Sequence, residues 1–121
     1  MKIITLSIIL ILLGGCAHND PWSKRDRIMY RSTLVLLAAD AYTTSRIQYH
    51  ENIHEAGPIA KHVLGSQPST SDTWMYFGTL AISNYFIGAA LPEKWRPYWY
   101  GGQIATHGYA VINNCNLGLC K

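Results

Sequence analysis

Long apolar stretches separated by proline and glycine breaks set the pattern along this chain. Ile3 to Leu13 is apolar apart from Thr5 and Ser7, and a short tether follows, ending in Asp20-Pro21. A first helix, A, is expected from about Lys24 to Tyr49, because no Gly or Pro interrupts it. Its middle, Thr33 to Ala39, is apolar, and Asp40, Thr43 and Thr44 then break that run. Gly57-Pro58 ends any continuation through His54, Ile59 to Leu64 fits one more turn closed by Gly65, and Gln67 to Ser71 reads as a loop. Ser71 or Asp72 is the expected N-cap of helix B, Thr73 to Leu91, which Pro92 stops. Pro97 suits the first turn of helix C, running to about Asn113. The predicted class is all-α, a small bundle of three main helices within a single domain, 24–121.

The first apolar run changes the picture at its edges. Lys2 precedes it, and Leu13-Gly14-Gly15-Cys16 closes it. A charged start, an apolar middle and small residues before a cut make a secretory signal, and the run is short for a membrane span. Leu-Gly-Gly-Cys resembles the lipobox of bacterial lipoproteins. That resemblance implies a leader at 1–15, a covalent lipid (palmitate among its acyl chains) on Cys16, and a lipidated tether at 16–23. Several acyl chains on one residue anchor firmly, each buried methylene adding about 0.8 kcal/mol. The expected location is the cell envelope, on the periplasmic side of a membrane. Ala17 and His18 follow the Cys without an Asp, which leaves sorting to the outer membrane permitted.

The net charge of +3 falls to +2 when Lys2 leaves with the leader. So mild a balance excludes a nucleic-acid footprint. Lys24, Arg25, Arg27 and Arg31 sit close to the anchor, either as a solvated helix start or in contact with anionic headgroups. With Cys16 carrying lipid, Cys115 and Cys120 remain in an oxidising compartment, and a disulfide between them is expected in preference to a metal site.

Helices B and C admit two arrangements. Helix B carries no charge from Thr73 to Leu91 and rises roughly 27 Å, so B and C could form a transmembrane hairpin. Lys94 and Arg96 would then lie on the cytoplasmic side, and Trp74, Tyr76, Trp95, Tyr98, Trp99 and Tyr100 would resemble aromatic belts. The alternative is a compact periplasmic bundle, supported by Ser83 and Asn84 in B and by Gln103, Thr106 and His107 in C. Membrane-embedded or membrane-apposed helices are the favoured expectation.

Two constellations could carry chemistry. His50-Glu51-Asn52-Ile53-His54 matches H-E-x-x-H, which on a helix sets two imidazoles on one face for Zn²⁺, with Glu51 as general base. This resembles the zincin motif over five residues, and a third ligand would come from His62, Asp72 or His107. Asp40 follows an apolar run with Thr44 one turn on, and a buried carboxylate must be paired, hydrogen-bonded or protonated. Arg46, Asn84, Tyr85 and His107 are its candidate partners. Tyr100, Gln103, His107 and Asn114 share one stripe of helix C, so Asp40 and His107 are expected to meet inside the bundle. A structural hydrogen bond is favoured there over a ligand-binding or proton-active pair.

From Trp22 onward the chain resembles an uncharacterised family of short envelope lipoproteins of gram-negative bacteria and their phages. The residues that carry this are Asp40 with Thr44, Glu55-Ala56-Gly57-Pro58, Gly65 with Pro68, Tyr76, Leu91 to Arg96, and Asn113 or Asn114. Gly57 stands where that family usually has Asn. The resemblance adds Glu55 to a candidate polar site of Asp40, Thr44 and His107, and it supplies no reaction. The expected function is a lipid-anchored envelope protein of structural or interaction type, phage- or prophage-encoded, acting on membrane lipid and an envelope protein partner. The alternatives are a small zinc hydrolase using His50, Glu51 and His54, or a binding module at Asp40 and His107. No other cofactor is implied.

Overall fold

The computed structural model describes residues 20–121, so the leader and Cys16 lie outside the described residues. Within them the order is α1 (Lys24–Ser45), a 3-10 turn (Ile47–Tyr49), α2 (Pro58–Leu64), α3 (Thr70–Ala90), a second 3-10 turn (Glu93–Trp95) and α4 (Arg96–Asn116). The described residues form helices and turns without strands, which bears out the all-α expectation.

Local chemistry sets the helix limits. Ser23 caps α1: its Oγ accepts from the Asp26 backbone N–H at 3.1 Å, and the Asp26 carboxylate accepts from the Ser23 N–H at 3.2 Å. The helix ends at Ser45, earlier than Tyr49. Thr43 and Ser45 donate their hydroxyls back to the Asp40 and Tyr42 carbonyls at 3.1 and 2.7 Å, and the chain tightens into the 3-10 turn. The N-cap of α3 is Ser69, not Ser71 or Asp72. Its Oγ accepts from the Asp72 N–H at 3.1 Å and donates to the Asp72 carboxylate at 2.8 Å, so Asp72 sits one turn inside. Pro58 and Pro97 occupy the first turns of α2 and α4, where no N–H is needed.

Helix α1 lies between α3 and α4 and packs against both. Its buried face runs through Thr33, Leu37, Asp40, Ala41 and Thr44, at helical spacing. Leu37 and Ala41 meet Phe77 of α3, with Tyr76, Leu80 and Ala81 beside them. The inner stripe of α3 is otherwise small or polar: Thr73, Asn84 and Gly88. Large apolar side chains point outward instead, with Met75, Ile82 and Phe86 exposed on α3 and Tyr98, Tyr109 and Ile112 on α4. No helix among the described residues is long and apolar enough to cross a membrane. The transmembrane hairpin therefore finds no support, because the polar inner stripes dilute helices whose apolar residues lie on the opposite face.

Arg96 does not sit in an exposed basic loop, as the hairpin would require. It is fully buried, 3.3 Å from the equally buried Asp26 carboxylate. Its Nε donates to the Gly88 and Leu91 carbonyls at 2.8 and 3.1 Å, so the cation closes the C-terminal end of α3. Nη1 reaches the Pro21 carbonyl and Nη2 the Asp20 carbonyl, at 3.2 and 2.8 Å. The guanidinium also lies over the Trp22 ring, 5.5 Å from its centroid. One side chain thus joins the segment before α1, the start of α1, the end of α3 and the start of α4.

Cys115 and Cys120 are bridged, as expected. The bridge does more than staple a loose tail. Leu119, inside the closed loop, is fully buried, and the Lys121 carbonyl accepts from Arg46 Nη2 at 2.9 Å. The turn passes through Gly118 at φ +87°, a conformation that favours glycine.

Two glycines of α3 make opposite predictions. A Cβ on Gly88 would fall 1.8 Å from the Tyr100 hydroxyl, whose fully buried ring is fixed by donation to the Asn84 carbonyl at 2.9 Å. Gly88→Ala should lose about 1–3 kcal/mol through overpacking. Gly78 is exposed and a Cβ there meets nothing within 4 Å, so Gly78→Ala should gain about 0.5–1 kcal/mol in the same denaturant titration. Equal effects at the two positions would contradict the packing described.

Candidate functional site

Asp40, Thr44, His107 and Glu55, the candidate polar site named from the sequence, come together where α1, α3 and α4 meet the loop before α2. Asp40 and His107 are joined directly: Oδ2 lies 2.7 Å from Nδ1, with both side chains nearly buried. The other Asp40 oxygen accepts from the Thr44 hydroxyl at 3.2 Å. Because Nδ1 is the atom that meets the carboxylate, a neutral His107 donates Nδ1–H and keeps its lone pair on Nε2. The Phe77 ring stands edge-on to the imidazole at 6.0 Å. Two turns further along α4, Asn114 donates to the Thr43 hydroxyl at 2.9 Å. At the other end of the α4 stripe, Gln103 accepts from Asn84 at 3.5 Å, and Trp99 donates to the Asn84 side-chain oxygen at 2.9 Å. The stripe is thus a ladder of hydrogen bonds linking α4 to both neighbours. Of the four candidate partners of Asp40, His107 is the one that pairs with its side chain.

Glu55 joins this group from the loop. Its backbone N–H donates to the Ser66 carbonyl at 3.0 Å, and its Oε1 accepts from the Gly57 N–H at 2.7 Å. Gly57 leaves little room there: a Cβ would stand 3.0 Å from that oxygen. Burial pushes the Glu55 carboxyl above its ordinary value; the Gly57 hydrogen bond opposes this and the negative charge of Asp40 adds to it. Tyr76 of α3 is raised by burial and then by the charges of Glu55 and Asp40. Beside Tyr76 lies a shallow, largely apolar groove of about 320 Å³, which Val63, Met75 and Thr79 also line.

His50, Glu51 and His54 are not brought into this site. The zincin pattern needs a helix, but His50 ends the 3-10 turn with extended backbone and Glu51-Asn52 form a turn. Gln67 fixes the loop, donating to the Ile53 carbonyl at 2.6 Å and to the His54 ring at 3.1 Å. No group of three His, Cys, Asp or Glu side chains among the described residues is arranged to hold a metal ion. The geometry that a zinc hydrolase would need is not met by this segment.

Tyr76 and Gln67 were not named as site residues from spacing, and neither was the Asp26–Arg96 pair. Tyr76 figures in the sequence only as an aromatic-belt residue of the hairpin and among the residues carrying the family resemblance. The one signal for Asp26 is its place three residues after Ser23, as the lone acid in a basic run. Comparison with protein-family models, with curated proteins and with solved structures finds no significant match to this chain.

The raised Glu55 fixes the sign of a pH effect. With its folded value above the ordinary 4.5, folding is favoured by protonated Glu55 at low pH, and that contribution is lost as pH rises through the folded value. Glu55→Gln keeps the acceptor for Gly57 and removes the charge. The variant should therefore melt higher than the wild type at neutral pH and level with it in acid, read by thermal denaturation at both. A gain larger in acid than at neutrality would contradict the assignment.

Proposed function

We propose that this chain is a lipid-anchored helical protein of the cell envelope, of structural or interaction type, held on the periplasmic side and acting on a membrane partner. The observation that carries the reading is the outward placement of large apolar side chains. Met75, Ile82 and Phe86 on α3, with Tyr98, Tyr109 and Ile112 on α4, face away from a core rich in Thr, Asp and Asn. Apolar residues repeated at helical spacing on an exposed face mark a surface that another body covers.

Three further features support it. The Leu13-Gly14-Gly15-Cys16 sequence has the chemistry of a lipid attachment site. The Cys115–Cys120 bridge belongs to an oxidising compartment. The Asp40–His107 pair serves as a cross-link between α1 and α4, as a structural role requires. Resemblance to short envelope lipoproteins of gram-negative bacteria and their phages supports a phage or prophage source.

Growth of producing gram-negative cells with an alkyne fatty acid tests the anchor. Wild-type protein should carry the label and sediment with membranes, and Cys16→Ser should lose both. Label retained by Cys16→Ser, or unlabelled wild-type protein that still sediments, would contradict it.

A further inference from the structure

The lipid anchor, if placed on Cys16, is tied to one end of the bundle by a very short segment. Cys16 and Asp20 are separated by four Cα–Cα steps, which reach at most about 14 Å. Asp20 is not free to swing. Its carbonyl accepts from Arg96 Nη2 at 2.8 Å, and its carboxylate accepts from the Glu93 N–H at 3.0 Å. The next residues are held too, through Pro21 on Arg96 and Trp22 stacked on Tyr85 with centroids 5.6 Å apart. The acyl chains must therefore enter the bilayer beside the turn between α3 and α4.

That end carries the side chains that suit a bilayer interface. Trp95 is 53 % exposed and Tyr98 74 %, their rings 5.8 Å apart, and Phe86 is 60 % exposed in the last turns of α3. Trp and Tyr favour headgroup depth because one part of each ring system is apolar and the other hydrogen-bonds to water. Lys24, Arg25 and Lys94 are exposed around them. Of the nearby acids, Asp26 is buried against Arg96, so the half-buried Asp20, which accepts from the Glu93 N–H, and the exposed Glu93 are the two that oppose these three cations.

We propose that the end of the bundle bearing Trp95, Tyr98 and Phe86 lies against the headgroup region of an anionic phospholipid bilayer. The proposal rests on the lipid anchor proposed above. It fixes the orientation of the molecule: α3 and α4 rise from the membrane, and the Trp74 end of α3 stands about 24 Å farther out along the helix.

The test uses full-length lipidated protein in vesicles of brominated phosphatidylcholine mixed with phosphatidylglycerol, with intact mass reporting the lipid on Cys16. Trp95→Phe should remove more than about half of the lipid-dependent tryptophan quenching, and Trp74→Phe less than about a tenth. Omitting phosphatidylglycerol should cut the quenching by about half or more. Trp95 is exposed, so circular dichroism of the variant should match the wild type. An intact mass without lipid would overturn the anchor and the docking together. Lipid on Cys16 with quenching centred on Trp74 would overturn the docking alone, as would quenching indifferent to phosphatidylglycerol. Protection of Trp95 from an aqueous quencher without quenching by brominated lipid would show that a second copy or another protein covers this end, and would overturn it as well.

Discussion

Burying a guanidinium removes it from water at a cost of several kcal/mol, and a fold keeps one only where its donors are met. Arg96 meets that condition by drawing four parts of the chain to itself. Its partners are the Gly88 and Leu91 carbonyls at the end of α3, the Asp20 and Pro21 carbonyls before α1, and the carboxylate of Asp26 in the first turn of α1. The charges also complement the helix ends, a cation where α3 exposes carbonyls and an anion where α1 exposes N–H groups. Around this pair, Trp22, Tyr30, Tyr85 and Tyr100 pack with centroid distances from 5.6 to 6.1 Å. Gly88 lets Tyr100 approach α3 closely enough to join them. The segment leading back to Cys16 is locked as a consequence, and that lock gives the proposed anchor a direction.

Polar satisfaction governs the remainder of the bundle as well. The Asp40–His107 bond, the Asn114–Thr43 bond and the Asn84–Trp99 bond each join two helices through groups that would be costly to bury alone. A core of this kind has little apolar area to contribute, so the apolar residues left over occupy the surface of α3 and α4. The same distribution that weakens a membrane-crossing reading strengthens an interaction surface.

Helix number, the proline-led start of α4, the disulfide and the meeting of Asp40 with His107 were all legible in the sequence. Each follows from local rules: breakers, cysteine parity, or the spacing of four polar residues on one helical stripe. The early end of α1 was not legible, because Thr43 and Ser45 act through backbone carbonyls that spacing does not reveal. Arg96 was misread because its neighbour Lys94 is an ordinary exposed cation and the two look alike in a charged loop. Its partner is 70 residues away and hidden in a basic run. Hydropathy counted along α3 and α4 sums both faces, so it could not show that Thr73, Asn84, Gln103 and His107 point inward while large apolar residues point outward. His50 and His54 matched a motif whose meaning depends on a helix that Gly57-Pro58 and the 3-10 turn do not allow.

A double-mutant cycle on Arg96 and Asp26 tests the central constraint most directly. Arg96→Met, Asp26→Asn and the double variant would be compared with wild type by denaturant unfolding. Each single change should cost about 3–5 kcal/mol, since it leaves the other group buried and unpaired. The double variant should lose less than the sum, by a coupling of about 0.5–3 kcal/mol. Single losses below about 1 kcal/mol that simply add would contradict the account, because Arg96 would then not be what holds the four segments together.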